Sequence, residues 1–111
     1  MTISVALAIN RKLVIGIINA PCIGKLYAAC KNQGATLNGK PMKVSNCEKL
    51  EVAQCILEVW SRDPPESEKI QIHNFQQLIG KTHSLRCYGS AAINLAFVAA
   101  GQCDIYCHSG K

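Results

Sequence analysis

Between Gly89 and Gly101 the chain carries the stretch that most restricts its fold. Ser90 opens a run from Ala91 to Ala100 that is apolar at every position except Asn94. Serine is a favoured helix N-cap, glycine a favoured residue just past a helix end, and nothing between them breaks a helix. A helix apolar around nearly its whole circumference sits inside a protein, with its N-terminus free to face a ligand. The backbone N–H groups at that end suit an anion or a polyol.

The segments around this helix alternate in type. Thr2 to Asn10 reads as a strand rich in β-branched residues, Asn10-Arg11-Lys12 as a turn, and Leu13 to Ile18 as the returning strand of a hairpin. Asn19-Ala20-Pro21 and Ile23-Gly24-Lys25 punctuate the chain before a third strand, Leu26 to Cys30. Asn38-Gly39 lies between Ala35-Thr36-Leu37 and Met42-Lys43-Val44, a signal for a two-residue hairpin. The first strands are apolar on both faces, which calls for cover on each side of their sheet, and this chain does not contain those covers.

The second half has a different grammar. Cys47 to Leu50 is a polar connection, and Val52 to Trp60 reads as a buried strand. The prolines of Ser61 to Pro65 force an extended loop. A helix is expected from Glu66 to Gly80, with Ile72, Phe75, Leu78 and Ile79 on one face and Glu66 and Glu68 in its first turn. Thr82 to Arg86 and Cys103 to Cys107 are short strands flanking the apolar helix. Strand, helix, strand, helix, strand is α/β order, so the fold class is mixed α/β (α+β). Residues 1–50 are expected to form the end of an N-terminal antiparallel sheet region, and 51–111 the start of a C-terminal α/β region, both incomplete.

Composition removes several functions. The net charge of +5 is scattered, aromatics are few, and no basic stripe forms, so nucleic acid is not an expected partner. No apolar run approaches the roughly 20 residues that span a bilayer, which argues against a membrane partner. Met1 to Ile9 lacks the basic n-region and cleavage site of a secretory signal. Seven cysteines without a Cys-x-x-Cys pair read as small apolar thiols in a reducing cytosol, and the expected localisation is cytoplasmic. Cys103, Cys107 and His108 make a conceivable zinc corner, the weaker reading.

No complete active site is visible. Glu66 and Glu68 point apart on a helix, no carboxylate pair has the look of a metal site, and no Gly-rich phosphate loop occurs. Among His73, His83 and His108, only His108 lies near the opening of the apolar helix. These residues assign no catalytic and no metal-binding side chain.

Two motifs nevertheless resemble a known family. Gly34-Ala-Thr-Leu-Asn38-Gly39, followed by Val44-Ser45, is similar to the hairpin "G-A-x-x-N-G-x-x-x-x-V-S" of the inositol monophosphatase family. Arg86, Gly89-Ser90-Ala91-Ala92, Asn94, Val98-Ala99, Gly101, Asp104 and Tyr106 resemble its longer segment "R-x-x-G-[ST]-A-A-x-N-x-x-x-V-A-x-G-x-x-D-x-Y". With the intervening elements in matching order, the likeness covers essentially all of residues 1–111.

The resemblance implies a layered α-β-α-β-α sandwich, present here in part, and a Mg²⁺-dependent phosphomonoesterase acting on inositol monophosphates through a metal-activated water. It implies a small phosphorylated polyol as substrate and a homodimer for the full-length protein. The family's metal ligands are an upstream glutamate, an Asp-Pro-x-Asp-Gly-Thr run and a downstream Trp-Asp pair, none of which occurs in this sequence. The chain therefore reads as a central fragment, inactive by itself. Residue by residue, Gly89, Ser90 and Ala91 fall on the substrate side. His108 stands where the family usually has a glutamate that contacts the sugar ring, so inositol preference is in question, and Asp104 is a structural acid. A different class remains open: an inactive paralogue or splice form that acts as a binding or dimerising module. A cysteine-based zinc or redox module is the third reading.

Overall fold

The computed structural model describes residues 1–58 and 65–108. The first part is an antiparallel meander in the order β1-β2-β3-β4-β5, formed by β1 (Ile3–Ile9), β2 (Lys12–Ala20), β3 (Lys25–Cys30), β4 (Gly34–Leu37) and β5 (Lys40–Met42). Short turns set each pairing. Ile9 pairs with Lys12, leaving Asn10 and Arg11 as the loop, both at positive φ (50° and 61°), as a type I′ turn requires. The expected third turn residue, Lys12, is already in the ladder. Leu37 pairs with Lys40 across Asn38-Gly39, a second turn of this kind at φ 50° and 77°. Asn38 also reaches beyond its turn: its Oδ1 accepts the Leu26 N–H at 2.8 Å and its Nδ2 donates to the Gly24 carbonyl at 2.9 Å. The side chain of one hairpin thus fixes the β2–β3 connection, where Pro21–Ile23 form a 3₁₀ turn.

The second part is a parallel sheet, order β7-β6-β8, of β6 (Gln54–Leu57), β7 (Ser84–Arg86) and β8 (Ile105–Cys107). Helix α1 (Pro65–Leu78) joins β6 to β7, and α2 (Ala91–Ala99) joins β7 to β8. Parallel strands need such crossovers, which is why helical segments separate these strands. The strand expected from Val52 starts later. Leu50–Val52 form a 3₁₀ turn, and pairing begins at Gln54 with Ser84 of β7 and at Cys55 with Ile105 of β8. The other two strands are likewise shorter than expected: the Thr82 hydroxyl donates to the Leu78 carbonyl at 3.1 Å, closing α1 instead of starting β7. Pro65, expected in the loop, is the first residue of α1, where its missing N–H is not needed. The rest of that loop, and the end of the strand expected at Val59 and Trp60, lie outside the described residues.

Helix α2 lies between the two sheets. Ile93 and Ala96 pack with Ala20 and Tyr27 of the antiparallel sheet, while Asn94 meets the parallel sheet. Burying a side chain such as Ile93 contributes about 2 kcal/mol. The C-terminus of α2 is closed as expected: Gly101 sits at φ 65°, its N–H donates to the Val98 carbonyl at 3.0 Å, and the Gln102 N–H donates to the Phe97 carbonyl at 2.9 Å. Gly101 is needed for a second reason. A Cβ there would stand 3.0 Å from the Lys43 carbonyl oxygen and the Ser45 nitrogen.

One expectation about burial needs correction. The predicted apolar face of α1 is not its buried face: Ile72, Phe75 and Ile79 are exposed, and Gln71 is the buried residue of the helix. Periodicity shows that a face exists but not which neighbour it meets. Strand β1 is exposed along its whole length, with Val5 at 57% and Ile9 at 54%, as expected of an apolar strand whose cover this chain does not contain.

Candidate functional site at the start of helix α2

Gly89, Ser90 and Ala91 form the approach to α2. Gly89 turns the chain at φ 74°, and Ser90 is extended (φ −144°, ψ 105°) before the helix begins at Ala91. Ser90 occupies the N-cap position but does not cap. Its hydroxyl makes no bond to the helix and lies 3.2 Å from the Thr2 hydroxyl. A partner 88 residues away has displaced the local bond that the sequence predicts. Ser90 thus gives the N–H groups of the first turn no side-chain acceptor, and a helix start without such a cap attracts anionic or oxygen-rich groups.

A cavity of about 340 Å³ opens beside this start, lined by Thr2, Cys22, Tyr88, Ser90, Ile93 and Phe97 among others. Its aromatic wall is fixed: Tyr88 meets Phe97 edge-on at 5.4 Å between ring centroids. Lys25 lies 5.1 Å over the Phe97 ring and donates to Gln102 Oε1 at 2.9 Å, which ties β3 to the far end of α2.

His108 follows β8 and is exposed, on a different element from Gly89, Ser90 and Ala91. It is related to them through side chains that sequence reasoning did not place in the site. The Tyr106 ring stands 6.1 Å from the His108 ring, tilted by 53°. The Tyr106 hydroxyl lies beside the Asn94 amide, and burial pushes that phenol above its ordinary pKa. Asn94 Nδ2 donates to Glu58 Oε1, and Glu58 is buried at the end of β6. The one polar residue inside an apolar helix was the available signal for this cluster. Its partners, 36 residues upstream and on β8, had none.

Asp104 has the structural role expected of it. Its Oδ1 accepts the Ser45 hydroxyl at 2.5 Å and its Oδ2 the Gln54 N–H at 2.6 Å. The Ser45 bond first, then the Gln54 N–H, hold its carboxyl below the ordinary value against a smaller opposing push from burial. The two motifs that carry the family resemblance therefore touch, Val44-Ser45 of one lying against Gly101 and Asp104 of the other. On the opposite face of the parallel sheet, burial pushes the Cys55 thiol up to about 12, helped by the neighbouring Cys107 thiol. Among the described residues no group of three His, Cys, Asp or Glu side chains is arranged to hold a metal, the suggested zinc corner included.

With this geometry in hand, comparison with known proteins identifies the fold's relatives. The profile of the inositol monophosphatase family matches residues 1–111, and the chain belongs to that family. Human inositol monophosphatase 1 is 32% identical over 111 residues, which are 99% of this chain and 40% of the relative. The structure of the extragenic suppressor protein suhB from Bartonella henselae superposes with a TM-score of 0.90 at 27% identity, over 96% of this chain and 41% of that one. A Staphylococcus aureus inositol monophosphatase II solved with inositol monophosphate gives 0.76 at 26% identity, over 95% and 40%. The chain thus spans about 40% of the length of the relatives it matches.

Proposed function

We propose that the chain is the central portion of a Mg²⁺-dependent phosphomonoesterase that hydrolyses inositol monophosphate or a similar small phosphate ester. The observation that carries this reading is the start of α2. There a left-handed glycine and an extended serine lead into a helix start that Ser90 does not cap, and Ser90 lines the adjoining cavity, in a chain of this family. Amides and the Ser90 hydroxyl would hold the oxygens of the substrate. His108 would face its hydroxyl groups with one donor and one acceptor, where a carboxylate offers two acceptor oxygens. On this reading the chain divides near residue 50 into the two incomplete regions, and the complete enzyme is a cytoplasmic homodimer. The seven free cysteines support a reducing compartment, and no helix of the described residues is long and apolar enough to cross a membrane.

Mg²⁺ takes several converging oxygen ligands. The described carboxylates do not converge: Glu58 is engaged by Asn94, and Asp104 by Ser45 and Gln54. The donors present do not fit the ion, and its ligands are assigned to parts of the enzyme outside these 111 residues. When bound, the metal supplies the activated water. The decisive assay is phosphate release from inositol monophosphate with Mg²⁺. Purified 1–111 is expected to release none, and the product of the full transcript is expected to be active. Sustained Mg²⁺-dependent release by 1–111 sinks the assignment of the ligands elsewhere.

The exposed apolar strand β1 favours a second reading, a binding or dimerising module without catalysis. An inactive product of the full transcript that still pairs with an active subunit would select it.

A further inference from the structure

Asn94 is fully enclosed, yet it is polar and lies in the one helix that packs between both sheets. It touches each side of the candidate site. Its backbone N–H donates to the Ser90 carbonyl at 3.0 Å, its Nδ2 donates to Glu58, and the Tyr106 hydroxyl stands beside its amide. Glu58 is only 3% exposed, and its own N–H donates to the Cys107 carbonyl at 3.3 Å, the residue before His108. Stability does not account for this arrangement. A buried carboxylate and amide are commonly replaced by apolar side chains of similar volume at no loss.

We infer that Asn94 and Glu58 are positioning residues: their bond fixes the Ser90 end of α2 against the His108 end of β8 and so sets the width of the ligand site. This rests on the reading of that site as substrate-binding. Neither side chain touches the ligand. They act through the two element ends that they hold.

The test replaces the pair together, Asn94→Leu with Glu58→Leu, and separately exchanges its polarity, Asn94→Asp with Glu58→Gln. Each protein is melted, titrated calorimetrically with inositol monophosphate, and examined by the imidazole proton resonances of His108 without ligand. The leucine pair is expected to melt no lower than wild type, to bind about tenfold more weakly, and to shift the His108 resonances. The exchanged pair keeps a hydrogen bond between the same positions and is expected to retain both affinity and resonances. A folded leucine pair with unchanged affinity and resonances overturns the inference. If the leucine pair does not fold, the exchanged pair decides: loss of affinity in that folded protein would mean that the Glu58 charge acts on the ligand itself. Absence of binding by the wild-type chain would refute the site reading instead, and the His108 resonances then judge the positioning role alone.

Discussion

Arg11 and Gly101 show how differently two left-handed residues are constrained. Arg11 sits at φ 61° in the β1–β2 turn, a region that disfavours side chains by about 1–2 kcal/mol. Arg11→Gly is therefore expected to stabilise the fold by about 1 kcal/mol, read as a higher denaturant midpoint with unchanged slope. Gly101→Ala combines the same strain with a methyl group 3.0 Å from the backbone of residues 43 and 45, and about 2–4 kcal/mol of destabilisation is expected. Gly39→Ala is the control, since open space surrounds a Cβ there and only the strain of φ 77° remains, about 1 kcal/mol. Equal losses at 39 and 101 would show that the contact with residues 43–45 does not form in solution.

Among the elements, the tie between the 43–49 connection and β8 runs through Asp104. A carboxyl held below its ordinary pKa stabilises the fold at pH values above about 4, and that contribution disappears as the pH falls through its folded-state value. Asp104→Asn presents an amide N–H₂ to one of two donors, with an expected loss of about 2 kcal/mol near neutral pH. The variant should also lose less stability than wild type between pH 5 and pH 3 (roughly the range of carboxyl titration). Parallel acid limbs for the two proteins would count against this assignment. The same scale shows what the sequence could reveal. Asn38-Gly39 and Gly101 carry their backbone conformation in their own chemistry, so those turns and ends were legible. Ser90 was misread because its partner is Thr2, and α1 because a sequence does not say which side of an amphipathic helix lies against the sheet. Glu58 and Tyr106 gave no signal, since nothing in their neighbours in sequence marks them as companions of Asn94.

At the scale of the molecule, the outer strand leaves Ile3, Val5, Leu7 and Ile9 about half or more exposed, with Leu13 of β2 beside them at 70%. An exposed apolar edge strand is a template for association. The 111-residue chain is expected to bind the dye ANS in its folded state and to associate as concentration rises, and Val5→Lys with Leu7→Lys should suppress both, measured by fluorescence and light scattering. A monomer at all concentrations that binds no dye would mean the strand is covered in solution. The α/β order of the second half was legible in the sequence, whereas the meeting of the two motifs across the layers was not. That meeting has a consequence for how the chain acquires its shape. The meander pairs neighbours along the chain through short turns, so it can form while the ribosome is still at work. The parallel strands cannot: β6 has no partner until β7 and β8 emerge, and Ser45 waits 59 residues for Asp104. During that interval a paired meander and an unpaired β6 coexist on the same nascent chain, and the arrival of Asp104 decides when the two motifs lock.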